Sequence, residues 1–234
     1  MGNNPHIFLA QMEALQDNRY FTIRKKIWNL TDDVQYGLHW HDYYEIEFIT
    51  GGEGTHLFNG EKYPLHRGCA YLLTPKDFHT VTERPENRLQ LYNINFSEQI
   101  LPLALSQQLN CIPGIFRITF DEPEAQRLNE LLTELLAEYE AQEPHRNEMI
   151  MALFEQFLIR MIRQNRKEAN QRQENAGKKP SLPVNEVINY LKLHFRESVS
   201  LGDCARKVYL TPNYLGELFH RSTNMSFNEY LKHL

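Results

Sequence analysis

Residues 37–54, Gly-Leu-His-Trp-His-Asp-Tyr-Tyr-Glu-Ile-Glu-Phe-Ile-Thr-Gly-Gly-Glu-Gly, constrain the chain more than any other stretch. His39 and His41 stand one residue apart, and Glu45 follows four residues after the second. The aromatic and β-branched residues between them, closed by a glycine cluster, read as a strand running into a turn. Residues an even number apart on a strand share a face, so His39, His41, Tyr43, Glu45 and Glu47 are expected to point one way. Two imidazoles and two carboxylates aimed at one place are costly to bury. Water, a ligand or a metal must compensate them.

The surroundings fit an all-β unit. Aromatic and β-branched residues alternate with Arg24, Lys25 and Lys26 from Tyr20 to Trp28, and short apolar runs continue to about Phe96. Turn signals separate them at Thr31-Asp32-Asp33, at the glycines of 51–54, at Asn59-Gly60, at Arg67-Gly68 and at Pro85-Glu86-Asn87. Asn-Gly is the strongest hairpin signal among these. Many short strands at this spacing favour a sandwich or barrel. Residues 1–20 are polar and read as an arm with one short helical turn.

After Phe120 the period changes. Asp121-Glu122-Pro123-Glu124 has the composition of a helix start. Leu128, Leu131, Leu132, Leu135 and Tyr139 then recur with helical spacing, Pro144 interrupts, and Ile150, Leu153, Phe154, Phe157, Met161 and Ile162 continue it. These two amphipathic helices form a hairpin over 121–164 that either covers one face of the barrel or pairs two subunits. Residues 165–183 have the composition of a linker. In residues 184–234, Val187, Ile188, Leu191 and Phe195 share a helix face. Ser200 caps a short helix carrying Leu201, Cys204, Ala205 and Val208. Thr211-Pro212 opens another helix with Leu215, Leu218 and Phe219 on its apolar side, and Ser226 caps a last one.

Residues 1–164 carry 14 Lys+Arg against 23 Asp+Glu, a net −9, whereas residues 165–234 carry 11 against 7, a net +4. This asymmetry hints at a polyanion partner for the second half. Three separated cysteines suggest reduced thiols and a cytoplasmic chain rather than a disulfide frame. No apolar run reaches the ~18 residues of a membrane span, and no secretory signal is evident.

His39-x-His41-x3-Glu45, the Gly-x-Gly turn, Pro64-x3-Gly68 and Pro75-x3-His79 together resemble a cupin β-barrel. With Tyr43-Tyr44-Glu45, the stretch resembles the ligand-binding domain of AraC/XylS-family transcription regulators, especially sugar-responsive ones. It departs from the usual cupin motif in that only Leu38 separates Gly37 from His39. The string Ser-Leu-x2-Cys-Ala-x2-Val-x-Leu-Thr-Pro-x-Tyr-Leu-x2-Leu-Phe-x6-Ser-Phe-x2-Tyr-Leu, starting at Ser200, closely resembles the first of the two helix-turn-helix units of that family. A second unit would lie beyond Leu234, and a single unit is expected to hold DNA weakly.

The resemblance implies an α+β chain: an arm (1–20), a cupin jelly-roll barrel (21–120), a helical hairpin that dimerises (121–164), a linker (165–183) and a partial all-α helix-turn-helix domain (184–234). It implies a ligand-responsive, DNA-binding transcription regulator that is not an enzyme. Its partners would be DNA, a sugar-like effector, a second copy of the chain and RNA polymerase. The alternatives are a metal-dependent cupin enzyme, such as an isomerase or dioxygenase, and a binding domain without DNA function. His39, His41, Tyr43, Glu45, Glu47, Tyr71, His79 and Tyr92 are the candidate effector contacts. His39, His41, Glu45 and His79 match cupin metal positions, and their donor types suit zinc, nickel, iron or manganese. Thr211, Asn213, Tyr214, Gly216, Glu217, His220 and Arg221 are the candidate DNA contacts. Family alignment places base readers at Asn213, Gly216 and Glu217; Asn suits adenine and Glu suits cytosine. Gly216 departs from the small polar residue usual there. Lys192, Arg206, Lys207 and Arg221 suit phosphates.

Overall fold

The computed structural model of the chain describes residues 8–10, 20–27, 39–58, 61–75, 77–83, 87–110, 116–175, 183–194, 197–223 and 225–233. Among these, the strands are β1 (Phe8–Ala10), β2 (Phe21–Ile27), β3 (His39–His41), β4 (Tyr44–Gly51), β5 (Gly54–Phe58), β6 (Glu61–Leu65), β7 (Cys69–Leu73), β8 (Phe78–Glu83), β9 (Gln90–Phe96) and β10 (Phe116–Thr119). The α-helices are α1 (Leu103–Asn110), α2 (Glu122–Glu140), α3 (Arg146–Asn175), α4 (Pro183–His194), α5 (Leu201–Lys207), α6 (Pro212–Thr223) and α7 (Phe227–His233). The α+β architecture is thus the one the sequence predicts. No helix among the described residues is long and apolar enough to cross a membrane.

The strands form two five-stranded sheets, ordered β1-β3-β8-β5-β6 and β10-β7-β4-β9-β2. All pairs are antiparallel except β1 with β3, so part of the segment read as an arm is a parallel edge strand. Residues 11–19, the Thr31-Asp32-Asp33 turn and Asn59-Gly60 lie outside the described residues, but β5 and β6 pair on either side of Asn59-Gly60 with Phe58 opposite Glu61. Glycine is required where the chain reverses after β4. Gly52 has φ +80°, and a side chain there would meet the Arg88 carbonyl at 2.1 Å.

Each strand of the second sheet has one face inside the barrel and one against helices. On β4, β7 and β9, Ile46, Phe48, Ala70, Leu72, Tyr92, Ile94 and Phe96 join Leu128, Leu132, Leu135, Phe154, Phe157 and Met161 in one core. The alternate residues Ile49, Cys69, Tyr71, Leu73 and Leu91 meet Phe58 and Val81 of the other sheet inside the barrel. Strand alternation, with both faces covered, produces this split.

Helix α2 starts as its sequence predicts, with the Asp121 carboxylate accepting from the Glu124 N–H at 3.0 Å. Two points differ from the sequence reading. The apolar stripes of α2 and α3 are covered by their own barrel, so they carry no argument for a subunit interface. In addition, α3 runs to Asn175, well into the stretch read as linker. The reason is local. Gln164 donates to the Thr119 carbonyl at 2.8 Å, and Glu168, one turn later, accepts from the Thr119 N–H at 2.8 Å. The extension is therefore tied to the end of β10 by polar contacts that apolar periodicity does not reveal. Residues 176–182 lie outside the described residues.

The helices from α4 to α7 enclose a separate core of Val187, Ile188, Leu191, Cys204, Ala205, Leu215, Phe219, Phe227 and Tyr230. Ser200 and Asp203 form a capping box at the start of α5.

Candidate functional site: a closed polar cluster in the barrel

Five polar side chains converge inside the barrel from both sheets. β3 supplies His41, β8 supplies His79, β5 supplies His56, and β4 supplies Glu45 and Glu47; all five are buried. The His41 Nε2 and His79 Nε2 atoms lie 3.0 and 3.2 Å from Glu45 Oε2. The His41 Nδ1–H donates to the Tyr43 carbonyl at 2.7 Å, and His79 Nδ1 shares a hydrogen bond with His56 Nε2 at 3.0 Å. The Asn93 amide donates to Glu45 Oε1. His41 Nε2, Glu45 Oε2, Glu47 Oε2, His56 Nδ1 and His79 Nε2 have no hydrogen-bond partner of good geometry. Such a concentration of unsatisfied buried atoms is rare in folded proteins and calls for an occupant or a specific task.

The charges divide unevenly. Burial opposes ionisation of Glu45, but pairing with His41 and His79 outweighs it and holds the carboxyl well below its usual range. Burial, followed by the neighbouring Glu45 carboxylate, pushes Glu47 up to about 8. Burial likewise depresses His56 and His79, with Glu45 partly offsetting it at His79. At His41, burial is outweighed by Glu45 together with the Tyr43 carbonyl and Asp77, and the ring is raised. One carboxylate is thus held ionised beside another that favours its neutral form. That arrangement presents both an acceptor and a donor to a ligand.

The sequence-derived set divides against this geometry. His39 is buried on the same face, opposite His79 in the strand register, with its ring 4.4 Å from that of His79. However, the ligating atoms that lie within 4.8 Å of one another belong to His41, Glu45 and His79, and in a second group to Glu47, His56 and His79. Tyr43 is half-buried and stacks on His41 at 4.4 Å. Tyr71 points inward, its ring 4.6 Å from His56 and its hydroxyl 3.3 Å from the Pro64 carbonyl. Tyr92 does not belong. It lies on the alternate face of β9, with its hydroxyl 2.9 Å from Thr133 Oγ1 of α2. Sequence reading missed His56 and Asn93. A signal for His56 was present: it shares a strand face with Phe58, just before the Asn-Gly turn.

In the helix-turn-helix unit, Thr211 just before α6 and Asn213, Tyr214, Glu217 and His220 on it are exposed, and Thr211 Oγ1 accepts from the Tyr214 N–H at 3.3 Å. Gly216 is half-buried at the seam with α5, where a Cβ would stand 3.4 Å from Leu201. Tyr209, in the turn before α6, has φ +56° and is 95% exposed. Arg206 pairs with Asp203 on its own helix, and Lys207 Nζ lies 4.2 Å from the centroid of the Tyr190 ring. The side chains of Lys192 and Arg221 lie outside the described residues.

A cupin-type barrel with a closed polar cluster, joined to a helix-turn-helix unit, defines a ligand-responsive transcription regulator. Residues 27–176 match the family described as the AraC-like ligand binding domain, and the chain belongs to that family. The HTH-type transcriptional activator RhaR of Mannheimia succiniciproducens is 27% identical over 205 residues, which span 84% of this chain and 69% of that protein. RhaR of Escherichia coli strain K12 is 24% identical over 201 residues, spanning 83% and 68%. A solved structure of apo ToxT from Vibrio cholerae aligns over 94% of this chain and all of its own, with a TM-score of 0.46 at 11% identity, too loose to carry an argument. The relatives are transcriptional activators, so the chain is not an enzyme and the isomerase or dioxygenase alternative is set aside.

Proposed function

We propose that the chain is a cytoplasmic transcriptional activator whose effector is a sugar or sugar derivative held inside the barrel. The observation that carries this reading is the buried polar cluster of Glu45, Glu47, His41, His56 and His79, in which Glu47 Oε2 and His56 Nδ1 lack a hydrogen-bond partner, bordered by the ring of Tyr71. Hydroxyl-rich ligands need acceptors at several angles together with an aromatic wall, and this lining supplies both. Asn213 and Glu217 on the exposed face of α6 read bases in the major groove, while Lys207 and Arg206 meet phosphates. The family resemblance supports a homodimer through the outer face of the α2–α3 hairpin and contact with RNA polymerase on DNA.

The test is a thermal-unfolding panel of monosaccharides, sugar phosphates and long-chain acids against the purified chain. A ligand at 100 times its Kd stabilises by about 2.7 kcal/mol. A sugar-class compound is expected to raise the midpoint, and Glu47→Gln is expected to lose that shift. A response to long-chain acids alone would overturn the sugar reading.

A further inference from the structure

We propose that Tyr209, in the turn between α5 and α6, is a contact to the DNA backbone, its hydroxyl donating to a phosphate beside the groove that α6 enters. The turn closes α5 as a Schellman motif. With Val208 as C-cap, the Leu210 N–H donates to the Ala205 carbonyl at 2.9 Å and the Tyr209 N–H to the Arg206 carbonyl at 3.3 Å. That pattern needs a left-handed residue after the cap, and Tyr209 has φ +56°. Glycine is the usual residue there and asparagine the next, because a Cβ in this conformation crowds the following carbonyl oxygen. A bulky aromatic residue is strained in that place.

The fold gains no packing from the ring to offset the strain. Val208 and Leu210, on either side, pack against the helical core, whereas Tyr209 is 95% exposed. The phenol is held out in solvent on a backbone fixed by hydrogen bonds. A strained residue that contributes no packing points to a task outside the fold.

The surroundings point to the phosphate backbone. In a helix-turn-helix the first helix crosses the DNA backbone and the second enters the major groove, so the turn that joins them stands at the groove wall. Residues 206–214, Arg-Lys-Val-Tyr-Leu-Thr-Pro-Asn-Tyr, hold two cations and no acid, which suits a polyanion. Thr211, Asn213 and Tyr214 continue the exposed surface from the turn onto α6. Tyrosine hydroxyls donate to phosphate oxygens, and such contacts fix register without reading bases. Because the phenol is neutral, its contact releases no counterion. It adds affinity without adding to the salt dependence, unlike a lysine such as Lys207. The inference rests on the helix-turn-helix unit binding DNA and is independent of what the barrel holds.

The experiment titrates the 234-residue chain against a labelled DNA duplex of random sequence, followed by fluorescence anisotropy from about 50 to 200 mM salt. Tyr209→Phe keeps the ring and the backbone strain and removes only the hydroxyl. It should weaken binding about 10-fold at every salt concentration, as for a hydrogen bond to a charged group, with the slope of log K against log salt unchanged. Tyr209→Asn should weaken binding equally while raising the unfolding midpoint by about 2 °C, since asparagine tolerates the left-handed position. Tyr20→Phe, at an exposed tyrosine beside β2, should change neither quantity. Wild-type affinity in Tyr209→Phe overturns the proposal and leaves the exposed ring to a protein partner. A lowered unfolding midpoint in Tyr209→Asn also overturns it, because the ring would then serve the fold. A flattened salt slope in Tyr209→Phe overturns the neutral phosphate contact. A wild-type chain that binds no duplex at the lowest salt sinks this inference together with the DNA reading, whereas equal binding by wild type and both Tyr209 variants sinks this inference alone.

Discussion

On one face of β4, Tyr44, Ile46 and Phe48 pack against the helical hairpin; on the other, Glu45 and Glu47 enter the barrel among three histidines. The two faces share a backbone and a depth of burial but differ in what they contribute. The outer face removes apolar surface from water, worth about 25 cal/mol per Å². The inner face carries desolvated charge and unsatisfied polar atoms, which oppose folding until a ligand or ion meets them. A sequence that keeps such a cluster where leucines would pack gives up stability for binding. The hairpin and outer face hold the molecule together, and the barrel interior does its sensing.

The strongest way to break this division is to damage the outer face. Phe157 is fully buried, with its ring 6.0 Å from that of Phe48. Phe157→Ala is expected to cost about 3–5 kcal/mol, the usual range for truncating a buried Phe. Urea unfolding followed by tryptophan fluorescence measures it, because both tryptophans, Trp28 and Trp40, fall within residues 21–120 of the sequence. A loss below about 1 kcal/mol would mean that the hairpin is not the barrel's main support.

A smaller effect sharpens the boundary between the faces. Tyr92→Phe removes only the hydroxyl that meets Thr133. A loss of about 1 kcal/mol is expected, with ligand-induced shifts unchanged. Weakened ligand binding in this variant would put Tyr92 back into the site.

Much of this was legible in the sequence because strand alternation is a strong rule. It placed His39, His41, Glu45 and Glu47 together on one face. Tyr92 was named an effector contact without a strand face, and its face depends on the register of β9 against β4, where Phe48 lies opposite Tyr92. The sequence around Tyr92 does not set that register. His56 was missed because its strand pattern says only which residues share its face, while its partner His79 is 23 residues away on β8. The length of α3 was hidden for a related reason, since the Gln164 and Glu168 contacts with Thr119 are polar and tertiary. In the helix-turn-helix unit, by contrast, caps and apolar spacing are local, and its helices could be read directly from the chain.

The central claim is that the inner polar cluster serves binding and not folding. The most direct measurement is the unfolding free energy of the triple variant His41→Leu, Glu45→Met, His79→Leu, taken with and without metal or effector. Replacing a buried charged set as a whole by apolar residues of similar volume is often neutral or stabilising by about 1–4 kcal/mol. The expected result is a barrel at least as stable as the wild-type apo chain, with no stability gained from either ligand. A loss of more than about 3 kcal/mol in the absence of ligand would contradict the claim and make the cluster part of the structural core.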